Sequence, residues 1–391
     1  MLLPGIARAA LTPEQIESKL QELDAKMEEC AKVKAELEAL KAEVAKKPAA
    51  PKPSWTDTIK FNGYFQNRYE NRKYNGPGGY SDFFMRRLFL NLIATPNPRT
   101  LGVVTFERAG SSPADPILAT SQAFVQYKMD SVNSIRVGQA GNNFGIDNAQ
   151  SSKDRIPLDR ALAGEGNGLL GQRGLWWRGW NDRGVWLIHN QDGSVPQVTL
   201  GIMNGQFTDR GGPGVGKTIE ADVKRLTSWG YFGASLNNGK YRQRSAQGDA
   251  ADGVINNRNA IDLYAFKKAT PFGGQFEWID GKLPGLFPTG TFQGSGDRRF
   301  NGWYVQGVYD KGGHGFPFVR FEEYDQDKAD PGIYTGWHFG YKYRLNACNE
   351  LTVQVDKANN GNRGPVTGGA ANGTSALGNA DMYALQWQFS Y

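Results

Sequence analysis

Cysteine and histidine are scarce in this sequence: 391 residues hold two Cys and three His. Cys30 and Cys348 stand too far apart to frame a disulfide scaffold or a Cys-rich zinc site. His189, His314 and His338 show no metal-ligand spacing, so neither a metal nor a cofactor is expected. Apolar runs of about 18 residues are absent, which excludes a bundle of transmembrane helices. Charge of one sign is also lacking. The formal net charge is +6, and residues 1–53 contribute nothing to it, with nine basic and nine acidic groups. The surplus, 36 basic against 30 acidic, lies in 54–391. It is too thin for a nucleic-acid binder and points instead to small anions. No nucleophile and base fall into a recognisable pattern, so no catalytic residue is expected and the chain does not read as an enzyme.

What is abundant is glycine, with 50 residues, and aromatics, with 21 Phe, 16 Tyr and 10 Trp. Glycine has no three-residue period, which excludes collagen. High aromatic content excludes a disordered chain. With a mean hydropathy of −0.54, the composition points to an all-β protein with many turns. It is either a soluble sandwich or an outer-membrane barrel, whose interior is polar.

Four zones are expected. Residues 1–10 read as a signal-peptide remnant, with Ala7-Arg8-Ala9 in the A-x-A pattern. Residues 11–47 form a helix, with Thr12 as N-cap and Pro13 at the first helical position. Its apolar residues Ile16, Leu20, Leu23, Met27 and Cys30, then Val33, Leu37, Leu40 and Val44, alternate spacings of four and three. That seam predicts a coiled coil, and so partner helices. Residues 48–56 are a Pro-rich linker, stiff and extended. Residues 57–391 are the barrel.

The barrel reading rests on strict alternation. Trp337, Phe339, Tyr341, Tyr343 and Leu345 oppose His338, Lys342 and Arg344; Leu351, Val353 and Val355 oppose Thr352, Gln354 and Asp356. The final segment is the sharpest. Tyr383, Leu385, Trp387, Phe389 and the terminal Tyr391 alternate with Ala384, Gln386, Gln388 and Ser390. Such an aromatic C-terminal strand is the end that barrel-assembly machinery reads. Sixteen strands are expected, with long and short connections alternating, so that long loops gather at one end. The sixth strand is placed at 171–180, and 181–195 is read as a long turn despite the strand-like Val185–His189.

Two further segments carry chemical signals. Gly211-Gly212-Pro213-Gly214-Val215-Gly216-Lys217-Thr218 matches the P-loop pattern. Such a loop cradles phosphate only between a parallel strand and a helix N-terminus. Thr218–Thr227 instead alternates like a strand, which favours a glycine-rich loop tip. The long irregular segment 141–170 interleaves Lys153, Arg155 and Arg160 with Asp147, Asp154, Asp159 and Glu165. It reads either as a loop folded into the lumen, where opposed charges would filter solutes, or as an exposed loop. Arg68, Arg87, Lys128 and Arg136, with Lys342 and Arg344, fall on polar faces and are candidates for an anion path.

Phe61-Asn62-Gly63-Tyr64-Phe65 follows the Pro-rich stretch. Arg86-Arg87-Leu88-Phe89-Leu90 comes next, then Gly138-Gln139, Phe144-Gly145, the long loop with Arg160, Asn204-Gly205 and the aromatic C-terminus. Over residues 54–391 this set resembles the phosphate-selective porin O/P family. The resemblance implies a trimeric, 16-stranded antiparallel transmembrane β-barrel in the outer membrane of a diderm bacterium, passing small, often anionic solutes by diffusion. It also implies lipid and lipopolysaccharide as surroundings. Acids between the basic residues of 141–170 weaken the case for phosphate itself. In a trimer, three N-terminal helices could pair as a parallel coiled coil, and a peptidoglycan tether is conceivable. The alternatives are a structural envelope barrel and, remotely, a P-loop nucleotide-binding protein.

Overall fold

The computed structural model describes residues 13–46, 58–74, 79–109, 119–163, 181–190, 196–204, 217–242, 255–268, 271–283, 298–325, 328, 333–359 and 379–391. The expected signal remnant, N-cap Thr12, linker 48–56, strand 171–180, residues 164–170 of the long segment and Gly211–Gly216 lie outside the described residues. The chain forms two units, Met1–Ser54 and Trp55–Tyr391.

Among its described residues the first unit contains one helix, α1 (Pro13–Lys46), with Glu14 in its first turn. Pro13 has no N–H to lose at that position, and the acidic side chain complements the helix dipole. Ion pairs Lys26–Glu22 (2.6 Å) and Lys41–Glu38 (2.9 Å) run along exposed faces. Such pairs contribute only about 0.3–0.5 kcal/mol each. Met27, Val33 and Leu37 of the apolar seam are exposed. Local pairs alone leave a helix of this polarity marginal.

The second unit is a closed antiparallel barrel of sixteen strands. They are β1 (Ile59–Tyr74), β2 (Tyr80–Asn97), β3 (Thr100–Ala109), β4 (Ala119–Lys128), β5 (Asn133–Gly141), β6 (Asn181–His189), β7 (Gln197–Met203) and β8 (Thr218–Leu226), then β9 (Gly230–Arg242), β10 (Ile255–Lys267), β11 (Phe272–Leu283), β12 (Arg298–Tyr309), β13 (Gly315–Asp325), β14 (Tyr334–Arg344), β15 (Asn349–Asn359) and β16 (Ala380–Ser390). Each strand pairs with its sequence neighbours, and β1 pairs with β16 to close the ring.

The barrel is inside-out. Gln126, Thr199, Asp222, Gln306, Gln354 and Gln388 are buried, whereas Val137, Leu187, Ile202, Leu263, Phe339 and Leu385 are exposed. The pleat alternates side chains between two faces, so the period-2 pattern sends polar groups inward and apolar groups outward. A one-residue slip would turn every inner charge outward. An Arg or Lys at the midplane of a lipid-facing surface costs about 2–4 kcal/mol, which pins the register.

The sixth strand lies at 181–189, not at 171–180, and the long turn expected over 181–195 is therefore corrected. β5 pairs directly with β6 from Asn133↔His189 to Gly141↔Asn181. Inside, Trp186 and Ile188 are buried; outside, Val185 and Leu187 are exposed. This alternation is short, and a neighbouring tryptophan-rich stretch outweighs it in composition, yet 181–189 pairs with β5 on one side and β7 on the other. Asn190 then takes a left-handed conformation (φ 57°) and donates its N–H to the Val132 carbonyl at 2.6 Å. With this shift, the strands joined by 98–99, 129–132, 190–196, 227–229, 268–271, 310–314 and 345–348 meet at one end, and the longest connections, led by 142–180, fall at the other.

Candidate functional site

The described part of the long segment, 142–163, runs into the barrel and is hydrogen-bonded to strands on opposite sides of the ring. On one side the Asn143 N–H donates to Glu220 of β8 (2.7 Å), Gly145 to Ser235 of β9 (3.0 Å), and Ile146 and Asp147 to the two carboxylate oxygens of Glu277 of β11 (2.9 and 3.1 Å). Tyr304 of β12 donates to the same carboxylate at 2.6 Å. Gly145 has φ +70°, and a Cβ there would run into the carboxylates of Glu277 and Asp262. Only glycine reaches this close at that conformation without strain.

Eight strands away, on the opposite wall, Arg68 of β1 donates to Asp159 (3.2 Å), to the Leu158 carbonyl (3.1 Å), to Glu70 (2.8 Å) and to Gln386 (2.9 Å). Arg86 adds a weaker contact to Asp159 at 3.6 Å. Burial by itself would raise the Asp159 carboxyl. The charges of Arg68, Arg86, Arg72 and Arg155 outweigh that and hold it well below the ordinary carboxylate range. Arg320 of β13 reaches Asp147 at 3.2 Å, the Leu162 N–H donates to Glu322 at 2.9 Å, and Lys342 of β14 donates to the Arg155 carbonyl at 2.8 Å. The Leu158 N–H donates to Gln354 of β15, and Gln388 of β16 donates to the Lys153 carbonyl.

Charge is sorted across the lumen. Arg68, Arg72, Arg86 and Arg87 lie on β1 and β2; Glu220, Asp222, Asp262 and Glu277 lie on β8, β10 and β11. His338 stands between Glu322 (2.7 Å) and Asp356 (2.8 Å), lining the lumen as its strand pattern predicts.

Between residues 141–153 and the inner faces of β1–β5 is a cavity of about 400 Å³. Three of the anion-path candidates line it: Arg87, Arg136 and Lys153, with Glu107 as the carboxylate among them. Arg87 pairs with Glu107 at 3.1 Å and also donates to the Ser152 hydroxyl. Arg136 stacks on Phe124 at 4.8 Å and donates to Gln126. Lys153 is exposed. The other candidates are placed elsewhere. Arg155 is buried beside Ser152, donating to its hydroxyl. Arg160 turns into its own loop, donating to the carbonyls of Asp147 and Gln150, both at 3.1 Å. Lys128 is exposed at the short-turn end of β4. Arg68 anchors the segment.

Sequence reading missed the acidic wall. The signal was there in the alternation of Glu220 and Asp222 on β8, but nothing local says that Asp262 and Glu277 stand beside them. The P-loop match ends differently from a nucleotide site: Thr218 opens an antiparallel strand rather than a helix, and Lys217 donates to Asn204 at 2.6 Å. In β16, Tyr383, Leu385, Trp387 and Phe389 face outward and are exposed, as is Tyr391.

No family model matches the chain, and no curated protein matches it. Solved structures do. An anion-selective porin from Comamonas acidovorans superposes with a TM-score of 0.61 at 13% identity, covering 85% of this chain and 99% of that one. The outer membrane channel DcaP of Acinetobacter baumannii gives 0.57 at 13%, covering 85% and 97%. The trimer form of OmpT, an outer membrane protein of Vibrio cholerae, gives 0.55 at 12%, covering 86% and 100%. At these identities the likeness is one of fold, that of outer-membrane barrels.

Proposed function

We propose that the chain is an outer-membrane porin of a diderm bacterium: a water-filled channel through which small hydrophilic solutes and ions diffuse, with a mild preference for anions. The observation that carries this reading is the cavity beside segment 142–153, where Arg87, Arg136 and Lys153 face a single carboxylate, Glu107. A ring of sixteen strands encloses a lumen wide enough for water. The inward segment would constrict it and leave the cationic side open. Phosphate selectivity is not part of the proposal, because Arg87 is already paired with Glu107 and the acidic wall lies opposite. The outward aromatic and aliphatic face would meet lipid and lipopolysaccharide, and the β16 aromatics would serve as the assembly signal.

We further propose a homotrimer whose α1 helices pair through Met27, Val33 and Leu37 as a parallel coiled coil, giving the molecule an envelope-tethering role toward peptidoglycan. The exposure of those three side chains supports it. Planar-bilayer recording of the detergent-purified chain tests the channel. Conductance arriving in steps of three, with an anion-leaning reversal potential in a salt gradient, is expected. A folded barrel without conductance would leave only the tethering role.

A further inference from the structure

The cavity beside the inward segment has two chemically different walls. One carries cationic and amide donors: Arg136, held by the Gln126 side chain at 2.9 Å, with Lys153 and Asn148. Arg136 and Lys153 pair with no carboxylate among the described residues, and the side-chain amide nitrogen of Asn148, in a residue 4% exposed, has no partner. Charged donors bind carboxylates about twice as strongly as neutral ones do. The other wall carries rings and aliphatic side chains, interrupted by the hydrogen-bonded pair Asn91 and Thr105. The Arg136 guanidinium sits over the Phe124 ring at 4.8 Å, Phe89 stacks on Tyr64 at 5.1 Å, and Ile93 and Val103 lie beyond the Asn91–Thr105 pair.

An inorganic oxyanion would use the donors but lose hydration against the hydrocarbon wall. A neutral apolar solute would leave the donors unsatisfied. Only a solute with both an anionic head and a hydrocarbon body matches the two walls together. The volume, about 400 Å³, lies at the small end of ligand-sized cavities and suits one ring with one carboxylate. We propose that this cavity is a binding station for monocarboxylates carrying an aromatic or branched hydrocarbon body, such as benzoate. The assignment rests on the channel reading and names its preferred solute.

The test is chloride current through the full-length protein in a planar bilayer, interrupted by sodium benzoate, sodium acetate or inorganic phosphate added to one side. Benzoate should block at about tenfold lower concentration than acetate or phosphate, the factor expected from burying part of a ring. Phe124→Ala should collapse the benzoate-to-acetate ratio toward one, whereas Arg136→Gln should weaken the block by both carboxylates together. Each ratio is internal to one variant, so altered conductance does not disturb it, and retained β circular dichroism identifies folded barrels. Equal block by benzoate, acetate and phosphate, or a ratio untouched by Phe124→Ala, would overturn the assignment while leaving the channel standing. A folded barrel with no chloride current would remove the channel reading and this one with it.

Discussion

Arg68 and Asp159 meet at 3.2 Å where the inward segment touches the barrel wall, and the same guanidinium also grips the neighbouring Leu158 carbonyl. Arg68 is itself held by Glu70 and Gln386, so a side chain fixed by two strands positions a loop. Breaking one partner of a buried pair costs about 3–5 kcal/mol, and Asp159, partly exposed, falls below that range. Asp159→Asn should free this end of the segment, raising open-channel noise and adding sub-conductance states in single-channel recordings. Current as quiet as that of the unmodified protein would show that the remaining contacts suffice.

The same pair predicts a flat pH response. The Asp159 carboxyl is held below its ordinary range, so its contribution is complete above the unfolded pKa and is lost only as pH falls through the lower folded value. Recordings from pH 8 down to about pH 4, the ordinary carboxylate range, should show no loosening from this group. A rise in noise centred near pH 4 in the native chain, absent in Asp159→Asn, would contradict the assignment.

Lys153 and Arg160 lie seven positions apart in one loop and should behave differently. Lys153→Glu changes the charge of the cavity wall and should move the reversal potential toward cations. Arg160→Gln removes two bonds to loop carbonyls, so it should destabilise the segment while shifting selectivity far less. Equal selectivity shifts in the two variants would mean that Arg160 senses the solute as well.

Gly63 and Tyr391 exchange backbone hydrogen bonds of 3.0 and 3.1 Å at the closing seam. A Cβ on Gly63 would meet the Phe89 carbonyl and the Tyr391 ring. Gly63→Val should lower barrel stability by about 1–3 kcal/mol, the usual cost of overpacking, seen as a lower temperature for the heat-induced shift in gel mobility. Removal of Tyr391 should reduce the amount of folded barrel recovered from membranes.

Met27, Val33 and Leu37 are exposed on α1. If they form the seam of a trimer, replacing all three with Glu should leave the barrel folded and weaken the trimer in detergent, measured by light scattering after size exclusion. A trimer as stable as before would assign the association to the barrel alone.

The all-β architecture, the count of sixteen strands, the inward and outward faces and the N-terminal helix were all legible in the sequence. Each rests on local sterics: the pleat makes period two, the helix makes seams of three and four, and prolines and glycines interrupt both. The position of the sixth strand was not legible, because a short alternation becomes a strand only when partners exist on both sides. Nor was the site. Arg320 meets Asp147 across 173 positions and Arg68 meets Gln386 across 318, and no periodicity links residues that far apart. Closing the ring brings them together. It also assigns otherwise similar basic residues to different tasks, with Arg136 and Lys153 left on the cavity wall, Arg160 spent on its own loop and Lys128 at the rim.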